Sequence, residues 1–138
     1  MIDKATREKI ISLIRREVVP ALGCTEPIAV SLAVAKATEL LGMQPEEINL
    51  GLSGNIIKNA MGVGIPGTGM IGLPIAIALG SLIGKSEYGL EVLKEVSPEA
   101  VDRGKAFIES VPINIKHLPD SPSNLHVDVE VRAQGHSA

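Results

Sequence analysis

The single cysteine of the chain, Cys24, stands in the run LGCTEP, immediately before a stretch of apolar residues of helical character. A thiol at the mouth of a helix meets unpaired amides and the positive end of the helix dipole, which favour the thiolate that a metal or an electrophile requires. The competing reading is a small buried hydrophobe, a common role for an unpaired cysteine. Gly23 and Thr25 weigh against it, because a structural cysteine needs neither a tight glycine turn nor a helix cap beside it. The residues alone leave both readings open.

A second segment, SGNIIKNAMGVGIPGTG over residues 53–69, sets Ser53, Asn55, Lys58 and Asn59 ahead of a loop containing Gly67 and Thr68. Glycine loops expose backbone amides, and amides that end at a helix N-terminus hold carboxylate or phosphate, with Lys58, Asn55 and Asn59 adding directional contacts. The alternative is a close-packed bend in which the glycines let one backbone pass another. Gly62, Gly64 and Gly67 also satisfy GxGxxG. A dinucleotide fold would require that motif to follow directly on a strand, whereas a helix-like segment precedes it here. The phosphate-binding pattern GxxxxGK[ST] is absent from the sequence.

Of the three histidines, His117 adjoins a turn and His126 lies on the polar side of an alternating run. His136, in AQGHSA, has small neighbours that permit close approach and is the candidate acid or base. No pair of carboxylates and no Ser, His, Asp set can be grouped by spacing, and one cysteine is too few ligands for a metal site within this chain.

These residues must be held by regular elements. Residues 3–19 read as an amphipathic helix, with Ile10, Ile14 and Val18 four apart, Asp3 as cap and Pro20 as stop. A second helix runs from about Glu26 to Leu41, capped by Thr25 and stopped by Gly42; it is apolar nearly all round and therefore central. Ile48, Leu50 and Leu52 alternate with polar or small residues as a half-buried strand does. A short helix is predicted over Asn55 to Met61 and a buried one from about Met70 to Ile83. Two more follow over Glu87 to Val96 and Pro98 to Ser110, the last with Ser97 as cap. Two alternating runs, Val111 to Lys116 and Leu125 to Arg132, are joined by the turn-rich HLPDSPSN and read as an antiparallel pair. The predicted architecture is α+β, with helices packed on one face of a small, mainly antiparallel sheet in a single domain spanning residues 1–138.

Composition narrows the function. Hydrophobic residues are 45% of the chain and aromatics 1%, so the core is aliphatic. With net charge -3 and only Tyr88 and Phe107 as aromatics, the chain lacks both the basic groove and the stacking platforms of single-strand nucleic-acid binders. No charged residue lies between Lys58 and Lys85, yet glycines and prolines break that gap, and its unbroken apolar part is about half of the ~20 residues a membrane span needs. The charged start MIDKATREKI and the lone cysteine point to the reducing cytoplasm.

The segments VVPALGCTEPIAVSLAVAKA and SGNIIKNAMGVGIPGTG resemble the N-terminal part of the L-cysteine desulfidase family, relatives of the iron-sulfur L-serine dehydratases. The resemblance runs from roughly Arg16 to the C-terminus. It implies a PLP-independent lyase that converts L-cysteine to pyruvate, ammonia and sulfide, with L-serine as a related substrate. It also implies a [4Fe-4S] cluster bound through three cysteines, of which Cys24 would be the N-terminal one and the others would lie downstream in a longer polypeptide. The expected site is then Cys24 on the cluster, with Ser53, Asn55, Lys58, Asn59, Gly67 and Thr68 around the substrate and His136 as the base. This portion alone would be inactive and free of the cluster. Expected partners are the amino-acid substrate, the remainder of the same polypeptide and a second copy. A non-catalytic module that binds a small carboxylate or an amino acid is the alternative.

Overall fold

A computed structural model describes residues 2–138. Its architecture is α+β: a four-stranded mixed sheet carries helices on one face, and a two-stranded hairpin stands apart. Strand β1, Glu47–Leu52, buries Ile48, Leu50 and Leu52 in strict alternation. It lies between β4, Ile113–His117, which runs parallel to it, and β5, Val127–Ala133, which runs antiparallel. The two C-terminal runs are therefore not partners of each other, as their connecting turn suggested; β1 is inserted between them. A tight turn at Gln134 and Gly135, both at positive φ (51° and 77°), folds β6, His136–Ser137, back on β5.

Helix α2, Thr25–Leu41, is the central element that its all-round apolarity predicts. Val30 and Val34 are fully buried, and Gly42 ends the helix at φ 76°. Cys24, rather than Thr25, holds the cap position. Next to it lies α4, Leu73–Ile83, in which every residue from Ile75 to Ser81 is buried. Its predicted first residues, Met70–Ile71, instead form β3, paired with β2, Gly64–Ile65. Helix α5, Pro98–Ser110, starts as predicted, with the Ser97 hydroxyl accepting from the Ala100 amide at 3.2 Å. The helix expected over Glu87 to Val96 does not form. A short 3-10 segment, Ser86–Glu91, is interrupted at Gly89, whose φ of 54° lies outside helical geometry.

Two aliphatic clusters result. One joins α2, β1 and α4 to Val131 and Phe107, and the other lies between helices around Ile28, Ile75, Leu79 and Leu93. The opposite face of the sheet is polar, with Asn114 donating to Asn49 at 2.8 Å and Arg132 paired with Glu130. No helix among the described residues is long and apolar enough to cross a membrane.

Helix α1, Lys4–Glu17, forms under its Asp3 cap, whose carboxylate accepts from the Thr6 amide at 3.0 Å. It buries no residue, and the stripe expected to face a core leaves Ile10 41%, Ile14 52% and Val18 68% exposed. A helix of this length is marginal in water without tertiary support. In hydrogen exchange, the α1 amides should exchange at least about a hundredfold faster than those of α4, which sit in the core. Equal protection of the two helices would show that α1 is held by contacts absent from this fold.

Candidate functional site

The two unusual segments meet at the N-terminus of α2. The turn before it is tied down by the Leu22 amide, which donates to the Leu90 carbonyl at 3.0 Å. Gly23 then takes φ +94° and packs so closely on the glycine loop that an added Cβ would lie 2.7 Å from Pro66 Cγ. Cys24 follows in extended conformation, half-buried, with no capping bond from its side chain. Its thiol instead donates to Glu26 Oε2 at 3.3 Å, and the Thr25 hydroxyl donates to the same oxygen at 3.2 Å. From α3, Gly54–Ala60, the Asn59 amide donates to Glu26 Oε1 at 3.1 Å.

Glu26 is thus the hub that links LGCTEP to SGNIIKNAM. The thiol and amide donors stabilise its charged form and hold its carboxyl below the ordinary glutamate value. The same contact acts in reverse on Cys24: donating to Glu26, and then losing solvent, pushes the thiol above its ordinary value. The thiolate expected from the helix dipole is therefore opposed by a carboxylate in the first turn.

Beside Glu26 opens a cleft of about 140 Å³, whose walls are Ala29, Ile56, Leu90 and Val127, with Thr25 and Leu125 at the rim. Its lining is apolar apart from Glu26 and the Thr25 hydroxyl.

The remaining candidates are distributed unevenly. Ser53 is buried and fully engaged: its hydroxyl donates to the Asn124 carbonyl at 2.7 Å and accepts from the His126 amide at 3.1 Å. It clamps the chain entering β5 onto the start of α3, which is a structural role. Ser53→Ala should cost about 1–2 kcal/mol in denaturant unfolding by leaving those backbone groups unpaired; an unchanged midpoint would return Ser53 to the substrate candidates. Asn55 and Lys58 are exposed on α3.

The glycine loop is bonded internally around Thr68, while Gly62, Gly64 and Gly69 border open space. The Thr68 hydroxyl donates to the Ile65 carbonyl at 2.7 Å and accepts from the Met70 amide at 2.9 Å, and the Gly72 amide donates to Val63. Gly67, at φ +76°, has no room for a Cβ against Val96. The GxGxxG match lies in this hairpin, after α3, and not at a strand-to-helix turn.

His136 is not brought to Cys24. It pairs with Ala133 at one end of β5, whereas Val127, in the Glu26 cleft, begins the other end, about 20 Å away at ~3.4 Å per residue. Among the described residues no group of three or more His, Cys, Asp or Glu is placed to hold a metal ion. Cys24 offers one soft ligand at a half-buried position.

Sequence reasoning missed Glu26. An acid in the first turn of a helix reads as a partner for the dipole, and nothing local announces its bond to Asn59, 33 residues on.

No family model matches the chain, and no solved structure matches it. It is similar to a UPF0597 protein of Phocaeicola vulgatus, 63% identical over 138 residues, which are 100% of this chain and 32% of that protein. A UPF0597 protein of Bacteroides fragilis is 61% identical over 135 residues (98% of this chain, 32% of the relative), and one of Aeromonas hydrophila 47% over 135 residues (98% and 30%). The chain thus spans about a third of the length of the curated relatives it matches.

Proposed function

We propose that this chain is the amino-terminal portion of a PLP-independent lyase that converts L-cysteine to pyruvate, ammonia and sulfide, with L-serine as a related substrate. In this reading Cys24 supplies one ligand to a [4Fe-4S] cluster, and the other ligands come from polypeptide outside these 138 residues. The resemblance to the L-cysteine desulfidase family supplies the reaction. The supporting observation is convergence: the two segments that carry the resemblance are bonded through Glu26 and Asn59 and packed through Gly23 and Pro66.

The cluster, when bound, supplies a Lewis acid for the leaving group. What this chain's residues do is more limited. Glu26 orients Cys24, Asn59 and Thr25 fix Glu26, and a small, largely apolar cleft lies beside them. Elimination removes the Cα proton and breaks the Cβ–S bond; the resulting enamine takes up water to give pyruvate and ammonia. His136 lies at the far end of β5 from Cys24, which counts against it as the base. A reducing cytoplasm is the compartment this chemistry suits, and the remainder of the polypeptide is the partner it requires.

The cleft beside Glu26 favours a second reading, a module that binds an amino acid without converting it. Turnover separates the two. The full-length polypeptide, reconstituted anaerobically with iron and sulfide, should release pyruvate and sulfide from L-cysteine in equal amounts. Binding with no product from either L-cysteine or L-serine would favour the module.

A further inference from the structure

We propose that the cleft beside Glu26 recognises a small primary ammonium, with the Glu26 carboxylate as its counter-ion. This rests on the lyase reading only in assigning the ammonium to the amino group of an amino-acid substrate. The recognition itself follows from the geometry.

A carboxylate offers about four acceptor positions. Oε2 of Glu26 takes two donors, the Cys24 thiol and the Thr25 hydroxyl, whereas Oε1 takes only Asn59. All three donors are neutral, so they orient the carboxylate without cancelling its charge, and among the described residues no Lys or Arg forms an ion pair with it.

The space next to this charge is apolar, walled by Ala29, Ile56, Leu90 and Val127. Its volume of about 140 Å³ is well below the ~300–1,000 Å³ of clefts that take drug-sized ligands, so it suits a molecule of a few heavy atoms. A fixed anion at one end of a small apolar cleft selects a cation on a short apolar body and repels an anion of the same shape. That reverses the expectation from the sequence, in which this region would grip the substrate's carboxylate through amides and Lys58. Here the amino group is the part held, and the carboxylate points away from Glu26.

Titrating the 138-residue chain with propylammonium and, separately, with butyrate tests this by NMR. The two probes share a propyl chain and carry opposite charges. Propylammonium should give saturable shifts at Glu26, Asn59 and Val127, and butyrate none. Glu26→Gln should weaken propylammonium at least tenfold. Ala29→Leu, which fills the cleft and leaves the carboxylate in place, should do the same. If Ala29→Leu fails to fold, as circular dichroism would report, Glu26→Gln decides alone. Equal binding of both probes, unchanged affinity in Glu26→Gln, or no saturable shift with propylammonium would overturn the proposal. A full-length protein that fails to turn over L-cysteine while this chain still binds propylammonium would sink the lyase reading and leave ammonium recognition standing.

Discussion

Replacing Gly80 with valine should lower the stability of the fold by about 2–3 kcal/mol, the largest loss expected of any change outside the site. Helices α2 and α4 cross at this residue. A Cβ built on Gly80 would lie 2.6 Å from the Ser31 carbonyl oxygen and 3.0 Å from its Cα, and both atoms belong to backbone that cannot rotate away. The helices are also clamped one turn earlier, where the buried Ser31 hydroxyl donates to the Ala76 carbonyl at 2.7 Å. Relief therefore requires the whole crossing to open, with loss of contact among the buried side chains between the two helices. Helix propensity acts in the other direction, favouring valine over glycine by about 0.4 kcal/mol, which is too little to compensate. Urea unfolding should show a lower midpoint with an unchanged slope. A variant as stable as the parent would mean that the crossing is looser than described.

Gly23→Ala should be nearly as costly and should act at the site itself. Two penalties add. At φ +94° an L-residue pays about 1–2 kcal/mol, and the new methyl would sit 2.7 and 2.9 Å from two ring carbons of Pro66. The proline ring has no flexible end to swing aside, so the loop must shift or Cys24 must turn. The expected sum is about 2–3 kcal/mol, accompanied by a changed chemical shift for the Asn59 side-chain amide as its bond to Glu26 is disturbed. A loss below about 0.5 kcal/mol with an unmoved Asn59 signal would show that Gly23 and Pro66 do not couple the two segments.

Local signals in the sequence were reliable where one element's own residues decide its form. Ser97 followed by Pro98 marks the start of α5, Gly42 ends α2, and Ile48, Leu50 and Leu52 mark β1 and the face it buries. Relations between distant residues were not legible. The turn-rich segment between β4 and β5 has the composition of a hairpin, and nothing in either run announces that β1 enters between them. Gly89, at non-helical φ, interrupts a segment whose spacing suggested a helix. Apolar spacing predicted that α1 forms, but spacing carries no information on whether a partner is present for its stripe.

The candidate site divides in the same way. Cys24 and the glycine loop stand out by residue type, and the structure brings them together. Thr68 and Ser53 look like free ligand-binding hydroxyls in sequence, yet both are consumed by backbone partners up to 73 residues away. Glu26, the residue that organises the site, looked like an ordinary first-turn acid.

The most direct test of the central claim is the behaviour of Cys24→Ser in the full-length polypeptide after anaerobic reconstitution with iron and sulfide. The parent should become brown and release sulfide from L-cysteine. The variant should lose both the colour and at least about 99% of the turnover, because serine is a poor ligand for iron-sulfur clusters. A Cys24→Ser protein that turns over L-cysteine at the parent's rate would contradict the assignment of Cys24 to the cluster and, with it, the account of how this chain serves the reaction.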